Sequence, residues 1–103
     1  MTEVVRYALR DGVAILQIAN PPVNALSLEV RRALRTAIAR AAEDEEAEAI
    51  VLTGAGQTFP AGADIREFDA PAQAPYLSEV CDAIEASIKP VVACLHGTAL
   101  GGG

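Results

Sequence analysis

Three short segments hold the residues whose types and spacing suit chemistry: Asn20-Pro-Pro-Val-Asn-Ala-Leu-Ser27, Phe59-Pro-Ala-Gly-Ala-Asp-Ile65 and His96-Gly-Thr-Ala-Leu-Gly-Gly-Gly103. Gly62 and the run Gly101-Gly102-Gly103 carry no side chain, so a bound molecule can come close to the backbone there and meet its N–H groups. Ala63-Asp64 reads as the start of one short helix and Gly102-Gly103 as the start of another, which sets two groups of N–H donors to converge. Converging donors stabilise an oxygen on which negative charge grows, and each is worth roughly 3 kcal/mol of barrier. Singly, each segment reads as a turn or a close helix contact, and the closing glycines suit a phosphate as well as a carbonyl oxygen. In combination the three favour a thioester oxygen.

Other reactive residues weigh less. His96 is the only histidine, but it precedes Gly97 at a strand-to-loop turn, which favours a loop-packing role over a general base. Tyr7 and Tyr76 show no partner in sequence and read as packing residues. Asp64 divides evenly between capping its own helix and touching a ligand. Arg66 and Lys89 read as surface residues. Gly54-Ala-Gly56 faintly suggests a dinucleotide-binding turn, but Phe59 stands in place of the third glycine and no Gly-Lys-Ser/Thr follows for a phosphate loop. Cys81 and Cys94 sit in apolar surroundings without metal-ligand spacing, and are expected to be buried, reduced thiols.

The elements that position these segments follow from pattern. Val4 to Leu9 and Val13 to Ile18 are apolar runs around Arg10-Asp11-Gly12, where Asp-Gly supplies the positive φ angles of a tight hairpin turn. Asn20-Pro21-Pro22 breaks the second strand. Ser27 is a good N-cap for a helix with Val30, Leu34, Ile38 and Ala41 on one face and Arg31, Arg32, Arg35 and Arg40 on others. Ala49 to Thr53 suits a strand covered on both sides, ended by Gly54-Ala-Gly56. A second helix is expected over 75–88 with Leu77, Val80, Cys81, Ile84 and Ile88 in one stripe, stopped by Lys89-Pro90. Val91 to Leu95 reads as another buried strand, and Asp69 to Pro75 as a mobile loop. The order implies an α/β arrangement with right-handed crossovers, and each of the three segments then follows a strand and gathers at one sheet edge.

Composition sets outer bounds. A hydrophobic share of 51% and a mean hydropathy of +0.27 point to a packed core. The net charge of −6 gives no basic footprint for nucleic acid. Much of that charge lies in Glu43, Asp44, Glu45, Glu46 and Glu48, a solvated helix end and connection. No apolar stretch approaches the roughly 18 residues of a membrane span, and the first residues lack the order of a secretory signal.

Ala61-Gly-Ala-Asp-Ile65 and Gly97-Thr-Ala-Leu-Gly-Gly-Gly103 resemble, in wording and order, the two signature loops of the crotonase superfamily, the enoyl-CoA hydratases and isomerases. Asn20-Pro-Pro-Val-Asn-Ala25 resembles its CoA-side loop, so the likeness covers essentially the whole chain. The resemblance implies a crotonase-like (ClpP/crotonase) spiral of ββα units, with residues 1–103 as an incomplete N-terminal portion of one domain. It implies that the backbone N–H groups of Ala63 and Gly102 form an oxyanion hole for an acyl-CoA thioester. Ala61, Gly62, Asp64, Ile65 and Gly101 would contact the substrate, with Asp64 and Ile65 flanking its adenine or pantetheine portion. Val23, Ala25 and Leu26 would line the other side of the CoA channel, and Arg66 or Lys89 could meet its phosphates. Coenzyme A is then part of the substrate, with no separate cofactor and no metal. Pro60 departs from the small residue expected before Ala61, and removes a local N–H but not that of Ala63.

The implied reaction is hydration of a 2-trans-enoyl-CoA in fatty-acid β-oxidation. The alternatives are an isomerase or another acyl-CoA lyase or hydrolase of the same fold, or a non-catalytic acyl-CoA-binding scaffold. The two glutamates that the family's hydratases use lie beyond Gly103, so the 103 residues alone are expected to be inactive. The wording of the first loop also resembles the hydratase end of bifunctional hydratase/3-hydroxyacyl-CoA dehydrogenases. The family implies a homotrimer or a dimer of trimers, and a bifunctional relative a monomer. Neither nucleic acid nor membrane is an expected partner. The expected location is a bacterial-type cytoplasm, with peroxisome or mitochondrion as alternatives.

Overall fold

The structure is a computed structural model and describes residues 3–103. Strands β1 (Val5–Arg10) and β2 (Val13–Ile18) form an antiparallel hairpin. Asp11 and Gly12 have φ of 50° and 80°, the two left-handed residues that a two-residue turn requires to match strand twist. Helix α1 (Leu28–Glu43) starts at Ser27, whose side chain accepts the Val30 N–H. It leads to β3 (Ala49–Gly54), which pairs parallel to β2. A single 3-10 turn (Ile65–Glu67) and helix α2 (Leu77–Glu85) then lead to β4 (Val91–Ala93), parallel to β3. The sheet order is β1-β2-β3-β4.

Period-two alternation places Ala14, Leu16 and Ile18 of β2 and Ile50 and Leu52 of β3 on one buried face. Val30, Leu34, Ala37, Ile38 and Ala41 of α1 pack on it at helical spacing, joined by Phe59 and Val80. The parallel strands all point one way, so the loops following β2, β3 and β4 emerge at the same edge.

Several expectations need correction. Arg31 does not lie on a solvent face but is 8% exposed, because backbone carbonyls and Glu67 surround its guanidinium. Helix α2 stops at Glu85 rather than reaching Ile88, because Ser87 Oγ donates to the Lys89 carbonyl and accepts the Lys89 N–H, forming a turn in place of another helical turn. In its stripe only Val80 is fully buried, and Ile88 is exposed. The outer face of β3 is half-buried and β4 has two exposed residues of three, since among the described residues β4 pairs with β3 alone. Cys94, just past β4, and Cys81, on α2, both expected to be buried, are exposed free thiols.

Candidate active site

Three loops meet at the carboxyl edge of the parallel strands through an unusual density of backbone and amide hydrogen bonds. Asn24 begins this. It has φ 55° and is 2% exposed, a left-handed position that asparagine tolerates. Its Oδ1 accepts the Asn20 N–H at 2.9 Å, while its Nδ2 donates to the carbonyls of Ala55 (2.9 Å) and Thr58 (2.6 Å) in the loop after β3. The Ala61 N–H then donates to Val23, and the Leu26 N–H to Gly62 at 2.8 Å. On the other side Thr58 forms bridges with Gly97 and Thr98, the Phe59 N–H donates to His96, and the Leu100 N–H donates to Pro60. The central loop is thus held from both flanks.

Gly62, with φ 108°, sits at the crossing. A Cβ there would lie 3.3 Å from the Leu100 carbonyl oxygen and 3.6 Å from the Gly102 nitrogen. The bare Cα lets the last loop approach the peptide that carries the Ala63 N–H. Among the described residues neither the Ala63 nor the Gly102 N–H donates a hydrogen bond. Gly101, with φ 54°, makes the turn that presents Gly102. Fully buried Pro60 supplies its carbonyl to Leu100, a contact that needs no N–H of its own.

A groove of about 460 Å³ runs between the first and second loops, lined by Val23 and Ala25 on one side and Ala61 to Ile65 on the other, with Arg66 at its end. A second groove of about 510 Å³ shares Ala63 and Asp64 with it and continues past Phe68, Ala72 and Tyr76. Leu26 is turned into the core at 4% exposure and, with Gly102, lines a separate smaller cavity. Gly102 therefore approaches Ala63 from the core side.

Asp64 caps the 3-10 turn. Its Oδ1 accepts the Arg66 N–H at 3.0 Å, and its two oxygens accept from the Arg66 guanidinium at 2.6 to 3.2 Å. Hydrogen bonds from the Arg66 side chain, then from its backbone, hold the Asp64 carboxyl below its usual range. Of its two expected roles, Asp64 fills the capping one. His96 Nε2 lies 2.9 Å from the Gly56 carbonyl, a tie between loops. Lys89 is no phosphate ligand here: Nζ donates to the Ala41 and Asp44 carbonyls at the end of α1. Tyr7 is not mere packing, since its hydroxyl donates to Asp44 at 2.7 Å under the stacked Arg40 guanidinium. Sequence reasoning gave no role to Asn24 or Glu67 and set Arg31 on an outer helix face. An asparagine between turn residues was a usable signal for the first; the other two have partners too distant in sequence to leave one.

Residues 8–103 match the family described as Enoyl-CoA hydratase/isomerase. The chain is 50% identical over 99 residues to the Peroxisomal bifunctional enzyme of Danio rerio, covering 95% of this chain and 14% of that protein. It is 37% identical over 106 residues to the Probable enoyl-CoA hydratase of Bacillus subtilis (strain 168), covering 96% and 41%. A solved enoyl-CoA hydratase/isomerase family member superposes with a TM-score of 0.87 at 34% identity, covering 98% of this chain and 43% of that one. The chain spans less than half the length of each of these relatives. No described helix is long and apolar enough to cross a membrane.

Proposed function

The chain belongs to the enoyl-CoA hydratase/isomerase family, its fold being part of the crotonase fold, and on that premise we propose that the whole protein hydrates 2-trans-enoyl-CoA thioesters in fatty-acid β-oxidation. The observation that supports this reading best is the pair of unengaged N–H groups, Ala63 and Gly102, on either side of the bare Gly62 Cα. A thioester carbonyl oxygen accepting from both would be polarised before water attacks. Addition of water oxygen to C3 moves the π electrons through C2 onto that oxygen, and a proton delivered to C2 returns them. The reaction is redox-neutral, so coenzyme A serves as part of the substrate and no separate cofactor is proposed.

Ala63 stands where the two grooves join, which suits a substrate whose thioester divides two unlike portions. In this reading the CoA portion lies between Val23 and Ala25 and the stretch Ala61 to Ile65, and the acyl chain continues toward Phe68. Leu26 and Gly101 act from behind, one by anchoring Gly62 and the other by presenting Gly102. The resemblance to the family's hydratases puts the acid and base beyond Gly103, and the nearby carboxylates Asp64 and Glu67 are committed to Arg66, Arg31 and the Leu28 N–H. Residues 1–103 are then the N-terminal portion of one domain.

The test is full-length protein with crotonyl-CoA, followed by loss of enoyl-thioester absorbance and mass of the product. Appearance of 3-hydroxybutyryl-CoA supports the proposal. Double-bond migration in a 3-enoyl-CoA without hydration would favour an isomerase, and tight acyl-CoA binding without turnover a scaffold. Sedimentation separates the proposed trimer or pair of trimers from the monomer expected of a bifunctional protein. Relatives are bacterial and peroxisomal by name. We place the protein in a bacterial-type cytoplasm, and fractionation of the source cell distinguishes this from a peroxisome.

A further inference from the structure

Arg31 is the most heavily engaged side chain near the candidate site, yet no step above uses it. Its Nη1 donates to the Leu26 carbonyl at 2.8 Å and to Glu67 Oε1 at 3.1 Å; its Nε donates to Pro75 at 2.8 Å and its Nη2 to Gln73 at 3.3 Å. Glu67 Oε2 accepts the Leu28 N–H at 2.7 Å, in the first turn of α1, where a carboxylate also meets the positive end of the helix. These contacts bracket Ala63. Leu26 is its bridge partner and holds Gly62 by its N–H, while Glu67 closes the 3-10 turn that begins just after Ala63.

We propose that Arg31 and Glu67 form a positioning pair that fixes the aim of the Ala63 N–H by referring both flanks of its loop to the rigid start of α1. The pair touches no reacting atom. Its planar fork reaches acceptors in three separate segments, which a lysine's single ammonium cannot reproduce. A misaimed donor leaves substrate binding in the grooves intact but weakens carbonyl polarisation, so the loss falls on kcat rather than KM.

The inference rests on the acyl-CoA reading, and two measurements on the full-length protein separate them. The first uses a cinnamoyl-CoA thioester, whose conjugated absorbance moves to longer wavelength when its carbonyl accepts hydrogen bonds. Glu67→Gln and Arg31→Met should bind this probe within about threefold of wild type, with a smaller red shift and kcat lowered roughly 10- to 100-fold. Arg31→Lys should recover part of both. The second is hydrogen exchange, without ligand, of the Leu26 amide that holds Gly62, expected to be faster in Glu67→Gln. Should Arg31→Met fail to fold, Glu67→Gln carries both readings. A wild-type red shift and kcat in folded Glu67→Gln, or unchanged exchange at Leu26, overturns the pair. Absence of any red shift in wild type overturns the thioester reading instead, and the exchange result still decides the pair.

Discussion

At the residue scale the glycines divide into those the fold needs and those the chemistry needs. Gly97 has φ 59°, and a Cβ there would run into the Gln57 backbone carbonyl, which has no freedom to move aside. Gly102 lacks a positive φ, and a Cβ there would meet chiefly the Cδ2 tip of Leu77, a side chain that can rotate. Gly97→Ala is therefore expected to cost about 1–3 kcal/mol of stability, read as a lowered midpoint of thermal unfolding. Gly102→Val should keep a midpoint near wild type while turnover falls on the order of 100-fold. Equal turnover by wild type and a folded Gly102→Val would remove Gly102 from the mechanism. The close backbone approach at Gly62 was legible in sequence because the lack of a side chain belongs to the residue itself. Arg31 was illegible because its worth lies in partners such as Pro75, which only the assembled fold brings within reach, and Asn24 was legible only as a turn residue, since its partner Thr58 lies in another loop.

At the element scale the hairpin, α1 and β3 follow their sequence signals closely, since Asp11-Gly12, Ser27 and the alternating burial each act locally. Element bounds first depart at α2 and β4, where an apolar stripe states a need for cover without saying what supplies it; the outer face of β3 lacks its expected cover for the same reason. The end of α1 is fastened by the Tyr7 hydroxyl on Asp44 and by Lys89 on the terminal carbonyls. The hydrogen bond from Tyr7, then the Glu46 N–H, lowers the Asp44 pKa, while burial and then Asp44 raise that of Tyr7. A lowered carboxyl pKa gives stability that is lost as pH falls through it; a raised phenol pKa gives stability that is lost as pH rises through it. The clip should therefore contribute fully between about pH 4 and about pH 10. Tyr7→Phe is expected to unfold at lower temperature than wild type across this plateau, with the difference narrowing at both ends. No difference between Tyr7→Phe and wild type would mean that the ring's packing under Arg40, which phenylalanine keeps, and not the hydroxyl, supplies the fastening.

At the scale of the whole molecule, the site is half assembled in a specific sense. The loops that would bind and polarise a thioester are mutually braced, whereas the carboxylates beside Ala63 are consumed by structure: Asp64 by Arg66, and Glu67 by Arg31 and the Leu28 N–H. Ile88 (88% exposed), Val92 (57%), Leu95 (64%) and Leu100 (58%) also present apolar surface at the end of the chain. Large apolar side chains exposed in this number suit cover by further chain, and the chain corresponds to only 43% of the solved relative's length. The 103-residue chain by itself is accordingly expected to bind an apolar fluorescent dye and to show no hydration of crotonyl-CoA above the uncatalysed rate. The full-length protein should do the reverse. The two readouts constrain each other: dye binding reports the uncovered apolar surface, and turnover reports acid and base chemistry. Turnover by the isolated chain would require Asp64 or Glu67 to leave its partner and serve as base. In that event replacing the freed carboxylate, by Asp64→Asn or Glu67→Gln, would abolish the isolated chain's activity rather than merely lower kcat.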